Sequence, residues 1–125
     1  MSFADADANI YTALNVAALD GVALSPDLRN RETDIPAVTW TLEDKNATQS
    51  AGGSIAPYHS RWTFVCYQTS RVLANDLADA VLTALGASVH FKTRENARTS
   101  DLILRGSESV PTPTINLDLI LTFGT

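Results

Sequence analysis

The chain has a single cysteine, a single methionine and no apolar run approaching the length of a membrane span. Each absence removes a class of protein. Cys66 has no partner for an internal disulfide, and it falls on the apolar alternation of a strand, which suits a small buried hydrophobe better than a nucleophile. A bilayer crossing needs about 20 consecutive apolar residues, so no membrane contact is expected. The opening Met-Ser-Phe-Ala-Asp-Ala-Asp has neither the basic nor the apolar segment of an export signal, which predicts a chain made and kept in the cytoplasm. Positive charge is scarce. The net charge is −5, and Asp5, Asp7, Asp20, Asp27, Glu32, Asp34, Glu43 and Asp44 outnumber Arg29, Arg31 and Lys45 in the first half, while residues 61–125 are balanced. That disfavours general binding to phosphate backbones. One local exception is the run Lys92, Arg94 and Arg98, a candidate basic contact.

Catalytic constellations are missing as well. His59 adjoins Ser60, but adjacency in sequence does not set a base against a nucleophile. His90 sits beside Lys92 on the polar side of its strand, and two histidines in distant segments without Cys or carboxylate spacing make no metal site. Gly52-Gly53-Ser54 lacks the Lys-Ser/Thr of a phosphate-binding loop. Asp76 and Asp79, three apart on a helix beside Arg71 and Asn75, read as a solvated face rather than a paired-carboxylate site. The sequon Asn46-Ala47-Thr48 carries no consequence in a chain that is not exported. Neither enzyme activity nor a cofactor is expected.

What is present is a clear fold pattern. In residues 60–85 the apolar repeat changes from two residues to 3.6 across one polar turn: Trp62, Phe64 and Cys66 alternate with Arg61, Thr63 and Val65, and then Leu73, Leu77, Ala80, Val81, Ala84 and Leu85 fall on one stripe. That is a strand feeding a helix, closed by Gly86. A first helix is predicted from Phe3 to Leu19, with Ser2 and Asp5 at capping spacing, Ile10, Leu14, Ala17 and Ala18 buried, and Gly21 as the stop. Residues 22–36 carry loop chemistry.

Ala37 to Asp44 reads as a strand with Val38, Trp40 and Leu42 on its apolar side, and both tryptophans belong to the core. Lys45 to His59 is then a loop far longer than a hairpin needs, and Lys45, Asn46, Gly52, Gly53, Ile55 and Tyr58 make it a candidate interaction loop. A short strand begins at Val89 and Phe91, residues 95–100 read as turn, Leu102 to Leu104 as a possible further strand, and 106–113 as loop. The last strand is the cleanest, with Ile115, Leu117, Leu119, Leu121 and Phe123 alternating with Asn116, Asp118, Ile120 and Thr122. Thr39, Thr41, Thr63, Asn116 and Thr122 should form a polar second face. The prediction is one α+β domain over residues 1–125, an antiparallel or mixed sheet of about four to five strands with two helices packed on one face.

Several of these segments resemble a known family. Tyr11-Thr12-Ala13-Leu14, Asp34-Ile35-Pro36-Ala37-Val38, the block Trp62-Thr-Phe-Val-Cys-Tyr67, the helix Leu77 to Leu85 and the alternating final strand resemble the tail terminator (tail completion) proteins of long-tailed phages and gene transfer agents. The resemblance is one of order and pattern. It implies a non-catalytic virion protein at the tail-neck junction: a homo-oligomeric, usually hexameric, ring that caps the tail tube, ends its polymerisation and joins it to a head connector or stopper. Its implied partners are further copies of itself, the major tail tube protein and the connector, with DNA only in passage through the lumen. Alternatives from the residues themselves are another neck protein such as a connector stopper, a small α+β ligand-binding domain, and a small hydrolase using Ser60 and His59.

Overall fold

A computed structural model describes residues 6–26, 36–49, 55–103 and 111–123. In chain order these form helix α1 (Ala6–Leu14), a 3₁₀ turn (Ala17–Leu19), β1 (Ala23–Pro26), β2 (Ala37–Gln49), β3 (Ile55–Tyr67), helix α2 (Arg71–Gly86), β4 (Phe91–Ile103) and β5 (Thr112–Phe123). The strands make one sheet in the order β1-β2-β3-β5-β4, with β1 parallel to β2 and every other pair antiparallel. The chain is therefore α+β with a mixed five-stranded sheet, and both helices contribute to one core on one face of it.

The first helix is shorter than its apolar pattern predicts. Ala6, Ile10 and Leu14 repeat at four-residue steps and are buried. Leu19 lies nine positions beyond Ile10, roughly half a turn out of phase in a continuous helix, and would face solvent. Instead the helix ends after Leu14, Val16 is extended at φ −125° and ψ 165°, and the 3₁₀ turn swings Leu19 back into the core. Gly21, at φ 83°, then supplies the left-handed residue that redirects the chain into β1. The proposed Ser2 and Asp5 cap lies outside the described residues. Asp7 has another task, since its Oδ1 accepts the Trp40 indole N–H at 3.1 Å and ties α1 to β2.

Residues 23–26, expected in a loop, form the edge strand β1, with Ala23 to Pro26 in register with Ala37 to Trp40. A proline is tolerated there because an edge strand has one side without ladder bonds. The larger correction is at 45–59. Most of that stretch is strand: Lys45 pairs with Ser60, Asn46 with His59, Ala47 with Tyr58 and Gln49 with Ile55, across bulges between Leu42 and Asp44 and between Ala47 and Gln49. Residues 50–54, including Gly52 and Gly53, lie outside the described residues.

Helix α2 starts at Ser70, whose hydroxyl accepts the Leu73 N–H at 3.2 Å. Its buried face is Ala74, Leu77, Ala78, Val81, Ala84 and Leu85, a stripe rotated slightly from the expected one, so that Leu73 is 45% exposed while Leu77 stays inside. On the sheet side the core takes Val38, Trp40, Trp62, Phe64, Cys66, Ile115, Leu117, Leu119 and Leu121. Trp40 and Phe64 stack with centroids 6.1 Å apart. Burying each such ring removes 150–250 Å² from water.

The expected turn at 95–100 and strand at 102 are instead one continuous β4, paired with β5 from Phe91↔Phe123 to Ile103↔Thr112 and interrupted only by a bulge between Glu95 and Ala97. The bulge absorbs Asn96 and lets a polar stretch remain in the sheet.

Candidate assembly surface

The face of the sheet away from the helices is not uniform. At one end Ala37, Val65 and Tyr67 form a small second apolar cluster, with Thr39, Thr112 and Thr114 buried beside it. Thr39 was expected in an open polar face. It is 3% exposed, and its hydroxyl has no hydrogen-bond partner among the described residues. At the other end His59, Arg61, Lys92 and Arg94 are exposed, and Thr63, Asn116, Asp118, Ile120 and Thr122 are half-buried.

Two charge networks mark opposite sides of this sheet. On the open side Arg61 Nε donates to Asp118 Oδ1 at 2.9 Å, and Asn96 Nδ2 donates to Asp118 Oδ2 at 2.9 Å. The hydrogen bond from Arg61 holds the Asp118 carboxyl below its ordinary pKa against partial desolvation, with Asn96 adding to the shift. On the helix side Arg98 Nε meets Glu95 at 2.8 Å, while its Nη1 lies 3.0 Å from Asp79 and 2.6 Å from Asn75 Oδ1. Burial works against the Arg98 charge, but the hydrogen bonds to Glu95 and Asp79 outweigh it and raise its pKa.

The bulge explains why the predicted basic run is divided. Before it, Lys92 and Arg94 are in register with Thr122 and Ile120, on the open face; after it, Arg98 is in register with Leu117, whose side chain is in the helix-side core. Had Asn96 taken a regular place in the ladder, the alternation would have kept all three on one side. Asp79 of the supposed carboxylate pair is thus an ion-pair partner, and Asp76 is an exposed neighbour. Sequence reasoning missed Asp118 and Asn96, because neither has a signal until the bulge places Asn96 beside the strand that carries Asp118.

The hydrolytic candidates separate in space. Ser60 Oγ accepts the Trp62 indole N–H at 2.7 Å and donates to the Leu121 carbonyl at 3.0 Å, in the core. His59, one residue away on a strand, projects from the other face and shares a 3.0 Å hydrogen bond with Thr122. Cys66 is buried, and desolvation pushes its thiol up to about 12, far from thiolate chemistry despite an opposing pull from Arg98.

Of the predicted interaction loop, Lys45, Asn46, Ile55 and Tyr58 occupy the β2–β3 hairpin. Among the described residues β5 accompanies β3 only from Tyr58 onward, and β1 accompanies β2 only up to Trp40. No family model matches the sequence, and no curated protein does. Solved structures do match in shape. One is a chain from the virion of a native gene transfer agent particle, at a TM-score of 0.67 and 19% identity over 98% of both chains. Another is the gp17 protein of bacteriophage SPP1, at a TM-score of 0.52 and 15% identity over 98% of this chain and 88% of that one.

The likeness is one of fold. It covers 98% of this chain in both comparisons.

Proposed function

We propose that this chain is a structural virion protein of a tailed phage or a phage-like particle, acting as a tail terminator: a ring of copies that caps the tail tube and joins it to the head connector. The observation that carries the reading is the full-length fold match to a gene transfer agent virion chain. The sequence resemblance to tail terminators points the same way, from residues rather than from shape. The placement of Ser60 in a core hydrogen bond, with His59 on the opposite face, supports a non-catalytic role.

The mechanism is interface matching. One face of the ring complements the last ring of the tube, and the other lacks the surface that would recruit another tube ring, so growth stops. The hairpin formed by the ends of β2 and β3 is the arm we assign to these contacts, with Lys45, Asn46, Ile55 and Tyr58 on it. A predominantly acidic N-terminal half facing the lumen would keep passing DNA from adhering.

The test is electron microscopy of particles made with and without the gene. Loss of the protein should give headless tails or tails of unregulated length, and its density should lie at the head-proximal end of the tube. Normal joined particles in its absence would refute the proposal.

A further inference from the structure

The sheet has two edges that are not closed within the described chain. Strand β4 is terminal in the strand order, and among the described residues β5 is the one strand that pairs with it, from Phe91 to Ile103. Strand β2 is covered by β1 only at Ala37–Trp40, so from Thr41 to Gln49 its outer side has no partner strand among the described residues. An edge strand presents unpaired backbone N–H and C=O groups, a template for another strand, and the stretch of β4 before its bulge, Lys92–Glu95, is regular.

The two edges fit each other. β2 and β5 run in one direction, and β4, antiparallel to β5, runs opposite to β2. A second copy related by rotation about an axis along the strands keeps every strand direction, so its β2 edge meets β4 of the first copy antiparallel, the stronger kind of ladder. Charge favours the same match. Lys92 and Arg94 are exposed cations beside the β4 edge, and Glu43 is an exposed carboxylate at the β2 bulge.

We propose that copies of this chain associate head to tail by β-strand addition, the Lys92–Glu95 segment of β4 in one copy pairing with the outer edge of β2 around Thr41–Glu43 in the next, with Lys92 and Arg94 facing Glu43. The interface is heterologous, so it extends until the rotation closes it into a ring. The pairing does not depend on the tail-terminator reading, since it follows from two edges of one chain.

Paired cysteines test it directly, because directly opposed residues on neighbouring strands bring their Cβ atoms to about 5 Å, near the range a disulfide spans. Glu43→Cys is combined in one chain with Lys92→Cys or with Arg94→Cys, and the full-length protein is oxidised at millimolar concentration and run without reductant. The native Cys66 is buried and does not compete. At least one double variant should give a ladder of dimers, trimers and larger species, while each single variant stays monomeric. Efficient dimers from Arg94→Cys alone would mean that β4 pairs with β4 and would overturn the proposal. So would a native mass spectrum showing a monomer at that concentration, or oligomers with no ladder.

A charge exchange gives the second reading. Lys92→Glu with Arg94→Glu should weaken self-association about tenfold or more, and adding Glu43→Lys should restore it, with unchanged melting throughout because these side chains are exposed. A ladder in a protein whose loss leaves tails normal would keep the pairing and remove the functional reading. Misregulated tails with no ladder would do the reverse.

Discussion

Trp62 and Ser60, two residues apart on β3, point to the same side of the sheet, and the indole N–H reaches the serine hydroxyl at 2.7 Å. The hydroxyl in turn donates to the Leu121 carbonyl on β5, so a buried donor and a buried acceptor are satisfied through one small side chain. Ser60→Ala would leave the indole N–H without its partner in the core. We expect a loss of about 1–3 kcal/mol in denaturant unfolding, the cost of a buried unsatisfied group, with the fold retained. A variant as stable as the parent would mean that the indole finds another acceptor.

Leu77 and Leu73 test the phase of α2. Leu77→Asp places an unpaired carboxylate in the core, costing several kcal/mol, comparable with the whole margin of a small domain, and the protein should be insoluble or unfolded. Leu73→Asp, one turn earlier and 45% exposed, should fold and melt within about 1 kcal/mol of the parent. Equal damage from both would show that the helix is rotated from the orientation described.

Asp118 gives the acid side of the stability profile a specific source. Its folded-state pKa lies below the unfolded one because Arg61 hydrogen-bonds the charged form, so the unfolded chain takes up a proton first as pH falls. The contribution is complete above the ordinary carboxylate value of about 4 and disappears as pH drops through the lower folded-state pKa. Stability against pH for Asp118→Asn should therefore lie below the parent at neutral pH and converge with it at strongly acid pH. Parallel curves would remove Asp118 as the source. The gain is small and sensitive to salt, since Arg61 is 57% exposed.

Cys66 should resist thiol reagents in the native state and react in step with unfolding, because burial both blocks access and raises its pKa to about 12. Labelling with an aromatic disulfide reagent, followed across a denaturant titration, should track the loss of circular dichroism. Rapid stoichiometric labelling without denaturant would contradict the buried placement.

The distal hairpin separates folding from assembly. Among the described residues Asn46, Ala47 and Gln49 pair only across the hairpin, with His59, Tyr58 and Ile55, and the core side chains described on β2 and β3 are Val38, Trp40, Trp62, Phe64 and Cys66. Replacing residues 46–57 with an Asn-Gly turn should leave the thermal melt near that of the parent and abolish function in a particle-assembly assay. Full complementation by the shortened chain would make the hairpin a passive extension and end its role as the proposed arm.

The parts of the fold that sequence discloses are those in which one side chain period meets one buried face. The alternation from Ile115 to Leu121 and the placement of Leu77 and Trp40 are of this kind, and each is buried as its pattern predicts. The hairpin beyond Asp44 was hidden because Lys45 to Gln49 has no apolar alternation, and backbone pairing alone leaves no mark in composition. β1 was hidden for a similar reason: four residues ending in a proline are held by pairing with β2 and have too little length to show a period. The basic run was legible as composition, but its division between two faces depended on a backbone irregularity at Asn96 that no local preference announces. The early end of α1 is the opposite case, visible afterwards in the half-turn mismatch between Ile10 and Leu19.

The bulge at Asn96 also fixes how β4 tolerates length changes. Removing that one residue would make Glu95 and Ala97 consecutive ladder positions opposite Leu119 and Asp118, so every side chain after it would keep its side and Arg98 would keep Asp79, with only the Asn96 contact to Asp118 lost. A single-codon deletion just past the bulge, at Ala97, would instead shift the ladder and act as several simultaneous substitutions, turning Arg98 to the open side without changing any other amino acid. In an alignment of such chains, the position of a one-residue gap within β4 would decide which downstream side chains are compared as interior and which as exterior.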